Sequence, residues 1–521
     1  MDAKRDMSPK AHLEDAVSKD DSRPETPSGP ELTLKQAFWH YRKAVGWSLC
    51  VSNATIMESY DLLLINSFYA FPQFQQKYGV QLPNGNYSVP ARWQIGLSMA
   101  NLVGMIIGVF ANGYCADRWG LRKVMVASHA ALIGFIFITF FAPSVEILMV
   151  GVLLISLPCG FFAAATPSYA AEVSPPQLSG YLTVYVNLCW VMGKLIAFGV
   201  LSGTLNIQGQ WSYRIPFAIQ WLWPLPLMIA TYFAPESPWW LARKGRMEEA
   251  EKSLNRLVSA PIDLIDPKDT LAKMTHTIEA ERQMSIQGSY LDCFRGDSLR
   301  RTEIAMVSWG CQILPGFAIQ NYITYFFTLA GLPSSSSFHL SIGNASLAFV
   351  GTVSSWFVMT RFGWRTMYLG GLIAMFPVMV LVGFLDLATN TPAGDSIRWA
   401  QCAMLLLWFF FYGISIGPVP YGIAANVGAS NLRVKTISLG RNTYYFLSII
   451  NTIVSPYLLN PQEANLKGKA AFPAAAFTLM LIAWTYFRLP EIKGLSQDTL
   501  NNLFQQKVPA RKFLEASKRY Q

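Results

Sequence analysis

The sequence predicts an all-α membrane protein of twelve transmembrane helices, arranged as two six-helix halves with both termini cytoplasmic. Three observations carry this. The 521-residue chain is 52% hydrophobic and only 14% charged, against about 25% charged in soluble domains. Its apolar stretches are long and separated by short polar turns, and at roughly 20 residues per span there is room for about twelve. Cations crowd one side. The loops and tails assigned to the cytoplasm carry 33 of the 41 Lys and Arg, whereas the outer loops carry six (Lys77, Arg92, Arg214, Arg398, Lys467 and Lys469). Lys194 and Arg441 fall inside spans. That asymmetry sets the orientation. The net charge of +10 follows membrane topology and is no sign of a nucleic-acid partner.

Residues 1–36 are polar and lack an apolar core, so 1–43 reads as a disordered cytoplasmic tail and not as a leader. The N-terminal half covers 44–234. Its first span, about 44–71, sets Glu58 and Asp61 one turn apart on one face. Ionisable groups at membrane depth are functional candidates; the alternative is that both sit among outer headgroups. The outer loop 72–92 contains Asn86-Tyr87-Ser88, which makes Asn86 a glycosylation candidate. Further spans follow at about 93–113, 124–142, 146–170, 181–203 and 215–234. Pro175-Pro176 ends the fourth, and Lys194 lies near the middle of the fifth. Residues 235–302 form a cytoplasmic linker with an amphipathic stretch, EEAEKSLNRLV, and eleven Lys or Arg between 243 and 301. The C-terminal half, 303–488, holds spans near 303–330, 339–359, 366–386, 398–425, 435–458 and 470–488. A polar, basic cytoplasmic tail occupies 489–521.

Nothing in the sequence supports an enzyme or a cofactor. The seven cysteines show no metal-ligand spacing, the five histidines are scattered, and no Gly-rich phosphate loop or nucleophile elbow occurs.

The most specific stretch is GMIIGVFANGYCADRWGLRK, 104–123, where an apolar run stops in a tight turn bearing Gly113, Asp117, Arg118, Gly120, Arg122 and Lys123. A weaker copy, TRFGWRT at 360–366 with Arg361 and Arg365, lies between two later apolar runs. Similar hinge loops in two hydrophobic halves fit a chain built from parallel repeats. The first turn resembles the loop signature of the major facilitator superfamily. Further stretches narrow the resemblance: ESYD at 58–61, YAAEVSP at 169–175, GYLTVYVNLCWVMGKLIA at 180–197, PESPWWLARKGR at 235–246, LGRNTYY at 439–445 and PEIKG at 490–494. From about Leu34 to Phe513 the chain resembles the sugar porter family, and within it the fungal α-glucoside (maltose) permeases.

That resemblance implies a secondary active transporter in the plasma membrane, moving a sugar such as maltose by alternating access with proton symport, and working as a monomer. Two alternatives stay open: a diverged uniporter or exporter of another polar metabolite, and a non-transporting sugar sensor. It also implies roles. Gln312 matches the first glutamine of a sugar-binding motif, with Tyr322, Tyr325 and Tyr421 as aromatic planes for the pyranose. Amides suit hydroxyls and rings suit C–H faces. Glu58, Asp61 and Arg441 match proton-coupling positions. Asp117, Arg118, Arg122, Glu172, Arg433, Arg361 and Arg365 match the gate and hinge loops, with Glu172 paired to Arg433.

The chain departs from the family in three places. Ser179 and Asn426 stand where an inter-half ion pair is expected, which leaves the inner gate half neutralised. Met105 stands where the permeases carry a third acid, which puts proton coupling in doubt. Lys194 stands where a sugar-contacting glutamine is expected. It pairs with Asp61 or Glu58, contacts a polar or anionic substrate, or snorkels; the sequence does not separate the three.

Overall fold

The computed structural model describes residues 33–518 apart from 69–71, 82–86, 205–206, 260–266, 284–288, 318, 321–333, 389–393, 430, 460–463 and 465. The described chain is helical almost throughout. Its one sheet pairs β1 (Val80–Gln81) antiparallel with β2 (Tyr87–Ser88). The stretch expected as a disordered tail already contains a helix, α1 (Leu34–His40), closed by a reciprocal capping box between Thr33 and Gln36. The first span is not continuous. It divides at Asn53 into α2 (Arg42–Ser52) and α3 (Ala54–Phe68). The Asn53 side-chain oxygen accepts from the Tyr185 hydroxyl at 3.1 Å, which satisfies a polar group at the break.

The rest of the first half is α4 (Pro72–Tyr78), α5 (Ala91–Trp119), α6 (Leu121–Phe140), α7 (Val145–Val173), α8 (Pro176–Thr204), α9 (Trp211–Ile219) and α10 (Pro224–Phe233). The sixth expected span is interrupted as well. A turn of 3-10 helix, Gln220–Leu222, precedes Pro224, which has no N–H with which to continue the ladder. The linker folds into α11 (Pro238–Arg243), α12 (Met247–Leu257) and α13 (Pro267–Gln283). The second half contains α14 (Gly296–Gly310), α15 (Ser334–Arg361), α16 (Trp364–Leu387), α17 (Gly394–Ile414), α18 (Val419–Val427), α19 (Arg433–Leu459) and α20 (Ala471–Arg488). Among the described residues, eight helical segments are long and apolar enough to cross a membrane. The final stretch does not hang free. Its helices α21 (Gln497–Gln505) and α22 (Phe513–Ser517) bury Leu500, Leu503, Phe504 and Phe513.

The two halves repeat each other's joints. A Cβ added at Gly108 on α5 would lie 3.1 Å from the Gly160 Cα on α7; one at Gly351 on α15 would lie 3.1 Å from the Gly413 Cα on α17. Glycines at both crossings let bare backbones meet. The helix starts repeat too. Glu236, after α10, accepts from the Arg122 N–H at 3.2 Å at the head of α6. Glu491, after α20, accepts from the Trp364 and Arg365 N–H groups at 2.9 and 3.1 Å at the head of α16. Free N–H groups at a helix start need acceptors, and a carboxylate suits their positive end. Burial raises both carboxyls above their ordinary range, and these N–H bonds offset part of the rise. The arginines clamp in parallel: Arg122 donates to the Ala234 carbonyl at 3.4 Å and Arg365 to the Tyr486 carbonyl at 2.9 Å.

Candidate functional site

The centre of the bundle is an ion pair between the halves. Glu58 on α3 receives the Arg441 guanidinium from α19, and their side chains are 0% and 1% exposed. Arg441 is held in an aromatic cage. Its guanidinium lies 4.7 Å from the ring of Trp309, 4.8 Å from Tyr444, 5.0 Å from Tyr445 and 5.9 Å from Tyr421. Rings stabilise a desolvated cation through their negative faces. The Tyr445 hydroxyl donates to Glu58 at 2.8 Å and accepts from Arg441 Nε at 3.2 Å. Met105 Sδ stands 3.7 Å from that hydroxyl, so the residue at the third-acid position touches the network without adding charge. Glu58 Oε2 is buried with no partner among the described residues.

Asp61, one turn on, belongs to the first half alone. Gln220 Nε2 donates to one carboxylate oxygen, and Cys159 Sγ lies 3.5 Å from the other. The break in the sixth span presents Gln220 there. Lys194 meets neither acid: among the described residues no carboxylate lies within ion-pair distance of it. Its ammonium sits 4.1 Å above the Trp190 ring on its own helix, and the side chain is half-buried. The Trp190 indole N–H is buried without a partner among the described residues.

Gln312 follows α14, where Pro315 and a short 3-10 turn end the helix. Its Nε2 donates to the Gly417 carbonyl at 2.7 Å, in the gap between α17 and α18 that precedes Pro418. The buried amide is therefore partnered by broken backbone of its own half. Nearby, Tyr412 donates to the Gln312 carbonyl at 3.4 Å and stacks on Trp408 at 5.4 Å. A Cβ at Gly316 would fall 2.8 Å from both Gln320 Oε1 and the Trp408 ring. Gln312, Gln320, Trp408 and Tyr412 thus form one amide-and-ring cluster. Gln320 Oε1 and the Trp408 N–H are buried there without partners among the described residues, the inventory a hydroxylated ligand would satisfy. Tyr421 lies elsewhere, edge-on to Trp309 at 4.4 Å in the Arg441 cage. Tyr322, Tyr325 and Asn86 lie outside the described residues.

On the linker side the halves close together. The neutral positions expected to lack a clasp bond each other: Ser179 Oγ donates to Asn426 Oδ1 at 3.0 Å. Asp117, at the end of α5, takes Lys435 of α19 as an ion-pair partner. Glu172 departs from the expected pairing. It accepts from Ser237 Oγ and from Arg243 at 3.4 Å in the adjoining linker, while Arg433 lies 5.7 Å from the Trp239 ring. Linker residues thus stand between the two expected partners. Arg118 donates to the Tyr114 hydroxyl at 3.1 Å, and Arg361 is exposed at the end of α15. Tyr290 of the linker wedges into the same seam. Its hydroxyl donates to the Phe110 carbonyl at 2.9 Å, and the Lys435 ammonium lies 5.7 Å from its ring.

Gln220, Cys159, Tyr445, Lys435 and Tyr290 were not anticipated from the sequence. Lys435 read as an ordinary span-end cation and Tyr290 as linker. A glutamine midway between Pro216 and Pro224 in an apolar run was the one signal available for Gln220.

Comparison with known proteins supplies the frame. Residues 47–504 match the family model described as Sugar (and other) transporter. The chain is 38% identical over 504 residues to the general alpha-glucoside permease of Saccharomyces cerevisiae, covering 95% of this chain and 80% of that one. It is 37% identical over 507 residues to a maltose permease of the same yeast, covering 96% and 81%. Among solved structures it superposes on the major facilitator superfamily proton:xylose symporter XylE bound to 6-bromo-6-deoxy-D-glucose. The TM-score is 0.76 at 16% identity, covering 89% of this chain and 100% of that one. The inward-open conformation of XylE from E. coli gives a TM-score of 0.62 at 16% identity, covering 88% and 99%.

Proposed function

The chain belongs to the Sugar (and other) transporter family, and from that premise we propose that it moves an α-glucoside such as maltose across the plasma membrane by alternating access. It does so as a monomer of twelve spans with both termini cytoplasmic. The observation that carries this reading is the caged Glu58–Arg441 pair joining the halves, in a chain so similar to the yeast permeases. Sugar binds between the halves, against the Gln312, Gln320, Trp408 and Tyr412 cluster on one side. Tyr322 and Tyr325, outside the described residues, are proposed as further sugar-contacting rings.

Proton symport works through the pair. Protonating Glu58 neutralises the partner of Arg441 and removes the strongest tie between α3 and α19. Asp61, held inside the first half by Gln220, is placed to take or pass the same proton. A buried pair resists separation because either charge alone is costly, so the halves part more readily once the proton has arrived. Closure on the linker side, through Ser179–Asn426 and Asp117–Lys435, opens the opposite face to substrate.

A second reading, sugar uniport, is favoured by Met105, which leaves Arg441 with one carboxylate. Uptake of labelled maltose, with external pH recorded, in cells lacking their own permeases separates the two. Uptake with alkalinisation supports symport; uptake without it supports uniport. No uptake by protein present at the surface would overturn the assignment to α-glucosides.

A further inference from the structure

The described residues hold a cavity, lined by none of the sugar-site residues proposed above, that none of the roles above uses. Its volume is about 380 Å³, and it opens where the tail folds against the second half. Three cations line it: Arg300 from α14, Arg488 from the end of α20, and Lys507 just past α21. One acid, Asp297, faces them, and a second, Glu303, is already committed to Arg488. Arg300 is held in place by bonding and stacking. It donates to the Val508 carbonyl at 2.8 Å and lies 5.4 and 5.7 Å from the rings of Phe504 and Phe513. Lys507 has φ +53 and is the one non-glycine described residue in the left-handed region. A side chain is rarely kept there, because glycine meets that backbone at lower cost.

The cavity lies beside exposed apolar side chains. Phe487, which lines it, is 60% exposed, and Leu514 nearby is 57% exposed. Arg511 covers part of that edge, 4.7 Å from the Phe487 ring. Arginine and lysine in one cleft match a phosphate, with the guanidinium giving paired donors and the ammonium a point charge. Exposed rings at the end of a membrane-spanning helix match an acyl chain.

We infer that this pocket binds a phosphate-bearing anion, the headgroup of an anionic membrane lipid whose chains run along Phe487. The choice of a lipid rests on the cytoplasmic placement of the tail proposed above, since anionic lipids concentrate in that leaflet. The tail then becomes a lipid-gripping element, fixed to the second half by Arg300.

The test uses the purified full chain in detergent and in nanodiscs, which expose both leaflets, and reads binding without requiring transport. Native mass spectrometry compares phosphatidylinositol 4-phosphate, phosphatidylcholine and soluble inositol hexakisphosphate. The expected result is retention of the phosphoinositide and not of phosphatidylcholine. Lys507→Gly keeps the backbone conformation, so its melting temperature should match or exceed that of the wild type while lipid binding weakens about fivefold. Asp297→Asn removes the facing acid and should tighten binding. Equal retention of the soluble polyphosphate would support the anion site with a cytosolic ligand. Equal retention of phosphatidylcholine, or binding insensitive to both substitutions, would overturn the proposal.

Discussion

Arg441 is the residue on which the two halves depend most directly. Its charge has left water, and among the described residues Glu58, four rings and the Tyr445 hydroxyl compensate it. Removing one partner of such a pair strands the other, at a cost of about 3–5 kcal/mol. Arg441→Leu should therefore melt well below the wild type in detergent, and Glu58→Gln combined with Arg441→Leu should recover most of the loss. A double variant no more stable than the single one would show that the pair does not carry the coupling. Met105 tests the same network from the other direction. Met105→Glu places a second carboxylate beside Tyr445, and external alkalinisation per sugar taken up should rise above wild type. A pH trace unchanged from wild type would place proton uptake elsewhere.

At the scale of elements, the linker side is closed by parts from three regions of the chain. Tyr290 belongs to neither half and yet bonds the Phe110 carbonyl at 2.9 Å. One such bond is worth about 0.5–1.5 kcal/mol. Tyr290→Phe should therefore open this seam more often, and a thiol reagent should label the half-buried Cys115 severalfold faster. The repeated helix caps predict a pH effect. Burial holds the Glu236 and Glu491 carboxyls above their ordinary value. A raised carboxyl binds its proton more tightly in the folded chain than in the unfolded one. Its stabilising contribution is full below the unfolded value of about 4.3 and is lost as pH rises through the folded one. The melting temperature should fall over that interval, and the Glu236→Gln, Glu491→Gln variant should flatten the fall. An unchanged slope would remove these two acids from the account.

Across the whole molecule, the sequence made the apolar architecture legible and left most of the pairings hidden. Long apolar runs show themselves because the bilayer sets their length. Glu58, Asp61 and Arg441 stood out because charge in such a run is rare. Their partners could not be read so easily. Gln220 reaches Asp61 only because Pro224 breaks the sixth span, and Lys435 meets Asp117 across 318 positions of chain. Lys194 was a candidate for Asp61, but its short reach to Trp190 on the same helix occupies it instead. The neutral pair at Ser179 and Asn426 suggested a missing clasp, and the structure supplies a hydrogen bond between those two side chains. Losing both charges changed the bond and kept the contact.

The tail also touches the closed linker side. Gln497, the first residue of α21, donates through its side chain to the Asn426 backbone carbonyl at 3.1 Å, and Asn426 is the partner of Ser179. Whatever separates Ser179 from Asn426 therefore also disturbs the root of a helix on the surface. A small environment-sensitive dye on a Gln505→Cys variant, at the exposed far end of that helix, would then brighten or dim with each turnover. A cysteine introduced there gives an attachment point for an optical reporter that leaves no label in the transport path.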